Sequence, residues 1–96
     1  MSAATRIVEQ DRRRAMLAVL LVAPGFRFPL RAVRQGVEAL GYVVSLDLVR
    51  TDIAWLAEQG LVEQADEVVT LTDRGQDVVM GRVAQPGVKR PEPGEL

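Results

Sequence analysis

Arg27, Arg31 and Arg34 fall within eight positions of one another, and Arg50 follows on a later amphipathic stretch. A guanidinium keeps its charge at any working pH and presents a rigid fork of donors, so the chemistry open to this set is the binding of a polyanion. Arg27, Arg31 and Arg34 are candidates for phosphate contacts. Arg50 could also take the O6 and N7 of a guanine, a contact worth about 1–3 kcal/mol of discrimination. Ser45 and Thr51 share its stretch and could reach base edges through less selective hydroxyls. Set against these is an acidic group, Glu63, Asp66 and Glu67, with no Lys or Arg between Leu61 and Leu71. Phosphates would repel that segment, whereas a protein partner could dock on it.

Covalent and acid–base chemistry find little to work with. The chain has no cysteine or histidine, and of its two serines, Ser2 and Ser45, neither has an imidazole to activate it. No glycine-rich phosphate loop and no metal-ligand spacing are present. The expectation is a binding protein with no catalytic residue, no metal and no cofactor. The 96 residues carry a net charge of −1, unevenly placed: residues 1–50 hold eight arginines against four acids, a net of +4, and residues 51–96 hold four bases against nine acids, a net of −5. One basic face is implied. The longest apolar run, Ala15 to Pro24, is too short to span a bilayer, so a soluble cytoplasmic protein, with no membrane partner, is expected.

The elements that must position these residues are legible from caps and periodicity. Residues 1–5 are small and polar and are expected to be flexible, and residues 6–81 form one domain. A first helix is expected from Arg6 to Ala23, with Ile7, Val8, Met16, Val19 and Leu20 on its stripe, Asp11 to Arg14 outside, and Pro24-Gly25 as its stop. Phe26-Arg27-Phe28 fits either a short edge strand or two aromatics pinning a loop. Pro29 then opens a second helix to about Leu40, in which Gly36 implies close approach by a neighbouring helix. Ser45 and Gly60 bracket a third, with Leu46, Val49, Ile53 and Leu56 on its apolar face, Asp52 as a second acid near Arg50, and Trp55 as a packing residue. Leu61 to Gln64 and Val68 to Leu71 are strands flanking the tip Ala65-Asp66-Glu67, and Thr72 caps a closing helix to about Met80. Residues 82–96, with Pro86, Pro91 and Pro93, are expected to be extended or disordered outside the fold.

This order predicts a mainly α protein with a small β-hairpin, in the α+β class: a winged helix-turn-helix with a three-helix core, a two-stranded wing and a closing helix. Trp55-Leu56-Ala57-Glu58-Gln59-Gly60-Leu61-Val62 resembles the recognition-helix end and first wing strand of many small regulators, and Leu71-Thr72-Asp73-Arg74-Gly75 the exit from the second wing strand. With Asp11-Arg12-Arg13-Arg14 and Pro86-Gly87-Val88-Lys89-Arg90-Pro91, the pattern is similar over nearly the whole chain to a family of small proteins of Mu-like phages and prophages. Members are often labelled transcriptional regulators of the ArsR type. The resemblance implies a DNA-binding regulator, without the cysteines that metal-sensing ArsR repressors use. The expected partners are double-stranded DNA and a second copy of the chain, met through the apolar first helix with the last helix able to contribute. The alternative is an adaptor on the same scaffold, docking a phage or host protein through Glu63, Asp66 and Glu67.

Overall fold

Ser2 places its hydroxyl oxygen 3.1 Å from the backbone nitrogen of Thr5, so the first helix opens at once. The computed structural model describes residues 2–93, in which helix α1 runs Ala3–Leu21. The two alanines after Ser2 carry high helical propensity without belonging to the apolar stripe, so the helix starts before the stripe does. Met1 and residues 94–96 lie outside the described residues, so the expectations for the two chain ends bear only on residues 2–5 and 82–93. Helix α1 buries Ala15, Met16, Leu17, Val19 and Leu20. Ile7 and Val8, expected on that stripe, are exposed, because the buried stretch of α1 begins only at Arg12.

A single 3₁₀ turn, Pro24–Phe26, reverses the chain, with Gly25 and Phe26 both at positive φ. It feeds strand β1, Arg27–Pro29. Helix α2 follows at Leu30–Ala39 and helix α3 at Leu46–Glu58. Ser45 caps α3 by accepting from the Leu48 amide at 3.0 Å, and Gly60, at φ 74°, lies just past its end. Strand β2, Val62–Ala65, and strand β3, Val68–Leu71, form the hairpin, and helix α4 spans Asp73–Val79.

The architecture is α+β: four helices and a three-stranded antiparallel sheet in the order β1-β3-β2. The expected two-stranded hairpin is therefore corrected to three strands. Phe28 pairs with Val69 and Arg27 with Thr70, because β1 is short enough to lie on the free edge of β3 before Pro29 ends donation to the ladder. On the other side Val62 faces Leu71 and Ala65 faces Val68. The core is aliphatic, with Leu17, Leu20, Leu30, Val33, Val37, Val49, Ile53, Leu56, Leu61 and Val69 fully buried. Gly36 lets α1 and α2 approach: a Cβ there would sit 2.6 Å from a Val19 methyl.

Two corrections concern residues read as exterior. Arg12, placed by its sequence run on the solvent side of α1, is buried against Asp52 of α3, itself only 2 % exposed. Residues 82–93 have neither helix nor strand, yet they pack on the domain instead of leaving it. Val88 is buried in the core cluster, the Lys89 amide donates to the Gln10 carbonyl at 3.2 Å, and Arg13 donates to the Gly87 carbonyl at 3.1 Å. Proline and glycine content forbids regular structure here but not docking. Val83 also packs on the core, and Gln85 bonds Arg74 and Gln59 while Lys89 pairs with Asp11, so the segment is held at several points. Among the described residues, no helix is long and apolar enough to cross a membrane.

Candidate nucleic-acid interface

Ser45, the N-cap of α3, and Arg50 and Thr51 within the helix are all exposed. Each is already engaged. The Ser45 hydroxyl holds the Leu48 amide, and the Thr51 hydroxyl donates to the Asp47 carbonyl at 3.1 Å, so Thr51 has spent its donor on its own helix. Arg50 places Nη1 2.7 Å from Oε1 of Glu67, at the tip of the β2–β3 hairpin. Both side chains remain about half exposed, at 44 % and 59 %.

The α2 arginines divide. Arg34 donates from Nε to Glu38 at 3.0 Å and to the Val44 carbonyl at 3.1 Å, which ties α2 to the connection that leads into α3. Arg31 is exposed on the same side, along a shallow hollow of about 250 Å³ shared with Arg34, Gln35 and Glu38. Arg27 belongs to another surface. It lines an open hollow of about 550 Å³ on the outer face of the sheet, together with Glu63, Asp66 and Thr70. The four arginines thus do not form one patch, and acids accompany each group.

The hairpin tip joins two of these surfaces. The Leu30 amide at the start of α2 donates to the Glu67 carbonyl at 2.8 Å, so Glu67 stands between the first turn of α2 and the middle of α3. Its carboxyl is held below the usual glutamate value, chiefly by the hydrogen bond from Arg50 and also by the fields of Arg50 and Arg31. Arg50 is pushed upward, chiefly by the same hydrogen bond. A depressed carboxyl contributes to the folded state above its unfolded value near 4.5 and loses that contribution as the pH falls through the lowered value. The contact between tip and helix is thus complete at neutral pH.

A sequence relative decides the family. The chain is 43 % identical over 91 residues to an uncharacterized protein, gp26 of Escherichia phage Mu, covering 91 % of this chain and 94 % of that one. The chain belongs to the Mu gp26 family. A second relative within reach of the gp26-family sequence is an uncharacterized protein of Haemophilus influenzae, 39 % identical over 56 residues, or 58 % of this chain and 54 % of that protein. No family model matches the sequence, and no solved structure matches it.

The charged cluster that sequence reasoning missed in this gp26-family chain lies on the opposite side of α3. Arg12 meets Asp52 through two bonds, Nε to Oδ2 at 2.5 Å and Nη2 to Oδ1 at 3.2 Å. Its guanidinium is held above the ordinary arginine value, first by the hydrogen bond to Asp52 and against the opposing effect of burial. Arg13 stacks over Trp55 at 4.0 Å from the ring centroid, and Gly87, whose carbonyl accepts from Arg13, lies against the Cζ2–Cη2 edge of that ring. A signal was present. Asp52 falls three residues after Val49 and four before Leu56, and Arg12 four before Met16, so both sit on the buried stripes of their helices. These groups hold α1, α3 and the tail together and leave only Arg50 as a cation on the outer face of α3. Among the described residues, no group of three or more His, Cys, Asp or Glu side chains could hold a metal ion.

Proposed function

We propose that this protein is a winged-helix DNA-binding protein of a phage or prophage, acting in transcriptional regulation in the bacterial cytoplasm. In this reading α2 and α3 are the helix-turn-helix and β2–β3 is the wing. The element order supports it: a helix, a short strand, two helices with a six-residue connection, then a hairpin. The observation that carries the reading is the placing of Arg31 and Arg50 on either side of the wing tip, two guanidiniums from successive helices on one solvent-facing surface. That pair suits the phosphate backbone beside a groove, with Ser45 and Thr51 near base edges and Arg27 reaching phosphate from the sheet.

Fluorescence anisotropy with a labelled random 20-base-pair duplex, over a range of salt, tests it. The expected logarithmic salt slope lies between about −1.8, for two arginines each neutralising a phosphate, and about −3.6 for four. Arg31→Glu should weaken binding roughly tenfold and flatten the slope by about 0.9. If the wild-type protein binds no tighter than about 10 μM at low salt, the reading is wrong.

A second reading is favoured by a different surface. Ala18, Val19, Val22, Phe28, Gly36 and Leu40 line a groove of about 410 Å³ that carries no charged side chain. Val22, at 80 % exposed, and Leu40, at 56 %, stand beside it. Exposed apolar area of this kind marks protein contacts. The groove fits the adaptor reading, with the wing acids Glu63, Asp66 and Glu67 as a separate docking surface, and it fits self-association through α1. If α1 carries the dimer, light scattering should give twice the chain mass and Val22→Glu should halve it. A monomer at millimolar concentration would remove the dimer from the proposal.

A further inference from the structure

We propose that Arg50 is a phosphodiester-binding site whose resident counter-ion is the protein's own Glu67 carboxylate, so that the wing tip must release the arginine before DNA can take it. This rests on the DNA-binding reading and names a control built into its central contact. Arg50 is the single cation of α3, and its Nη1 is 2.7 Å from the Glu67 carboxylate. Carboxylate and phosphate oxygens are interchangeable ligands for a guanidinium, so one occupant excludes the other from the same donors.

The hairpin tip is built in an unusual way to deliver that carboxylate. Asp66 and Glu67 are the two residues between paired Ala65 and Val68, and both have positive φ, 51° and 64°. Two-residue turns of this handedness favour Asn-Gly, because a Cβ is disfavoured at positive φ. A glycine would suit the backbone at position 67 better than a glutamate does. The glutamate instead reaches Arg50, while its carbonyl is fixed by the Leu30 amide at 2.8 Å. The carboxylate therefore swings from an anchored backbone and not from a free loop.

The contact is also displaceable. Both side chains face water, and an exposed pair holds only weakly against competition from a polyanion that gains by releasing many counter-ions. Arg31, one residue beyond the amide that anchors the tip, is placed to meet the same strand of DNA once Glu67 has moved. The ligand implied is the backbone of duplex DNA, bound with little regard to sequence at this position. Arg50 then positions the helix instead of reading a base.

The test compares full-length wild type, Glu67→Gln and Glu67→Gly with Glu58→Gln, which makes the same charge change at the exposed far end of α3, away from Arg50. Each is titrated into the labelled random duplex across salt. Both position-67 variants should bind roughly fivefold tighter at low salt and steepen the salt slope by up to about 0.9, because DNA then takes Arg50 without freeing a carboxylate that gathers a cation in its turn. Glu58→Gln should leave the slope unchanged. Equal gains from Glu58→Gln and Glu67→Gln without a change of slope would overturn the proposal, since general charge would then explain them. Binding by wild type with no effect at position 67 would overturn it while leaving DNA binding intact. Failure of wild type and all folded variants to bind would remove both.

Discussion

Asp52→Asn should lower the stability of the fold by about 3–5 kcal/mol, the cost of leaving a buried charge without its partner. Arg12 and Asp52 are 8 % and 2 % exposed and joined by two hydrogen bonds, so neither side chain can turn to water when the other is neutralised. For a domain of this size the melting temperature should fall by about 15–25 °C, read by circular dichroism. Asparagine keeps the volume, so the loss would be electrostatic and not a cavity effect. The paired replacement Arg12→Met with Asp52→Leu should recover most of the loss, because the desolvation of both ions disappears with their attraction. A shift below about 5 °C for Asp52→Asn would show that water reaches the pair. Alkali does not offer a milder probe. Arg12 is raised above the ordinary arginine value, chiefly by its hydrogen bond to Asp52, and a raised base keeps its stabilising contribution below its unfolded value, so the contribution would fade only in strongly alkaline solution.

Gly75→Ala should cost roughly 3 kcal/mol, with the opposite sign to the gain that helix propensity alone predicts for this change. A Cβ on Gly75 would overlap the carbonyl oxygen of Leu61 and lie 2.6 Å from Cδ1 of Leu71. Leu61 cannot yield, since that carbonyl accepts from the Thr72 amide at 3.1 Å. Thr72 in turn receives the Gly75 amide at 3.0 Å and donates to the Gly60 carbonyl at 2.7 Å. The first turn of α4 is thus laced to the end of α3 and the start of the hairpin, with no space between backbones for a methyl group. The midpoint of urea unfolding measures the effect. A variant as stable as the parent would mean that α4 can slide off Leu61 without cost.

The local elements were legible in the sequence because their ends are marked by residues with one clear physical role. Ser45 and Thr72 each cap the helix that follows, and Gly60 takes the positive φ that ends α3. Arg27–Pro29 could be read only as strand or pinned loop, since three residues carry too little periodicity and the partner strand lies some forty positions on. The candidate surface was legible as residue types but not as an arrangement. That Arg50 meets Glu67 and that Arg27 faces the sheet depend on how the hairpin folds back across α2 and α3, and the bond from Arg34 to Val44 depends on the connection between those helices; only the pairing of Arg34 with Glu38, four residues on, is local. The tail was misread for a related reason. Its composition describes a segment that makes no regular structure, whereas the docking of Val88 depends on a surface made by α1 and α3.

That docking gives the molecule an internal optical gauge. Trp55 is the single tryptophan, and its ring carries the Arg13 guanidinium on one face and Gly87 at its Cζ2–Cη2 edge, where a φ of 93° and a missing side chain bring the tail within contact of the indole. Lifting the tail would wet that edge of the ring while leaving the helices intact, so tryptophan emission and far-ultraviolet dichroism report two different events. Coincident curves during unfolding would mark the tail as part of one cooperative unit, and an earlier emission change would mark it as a latch that opens on its own.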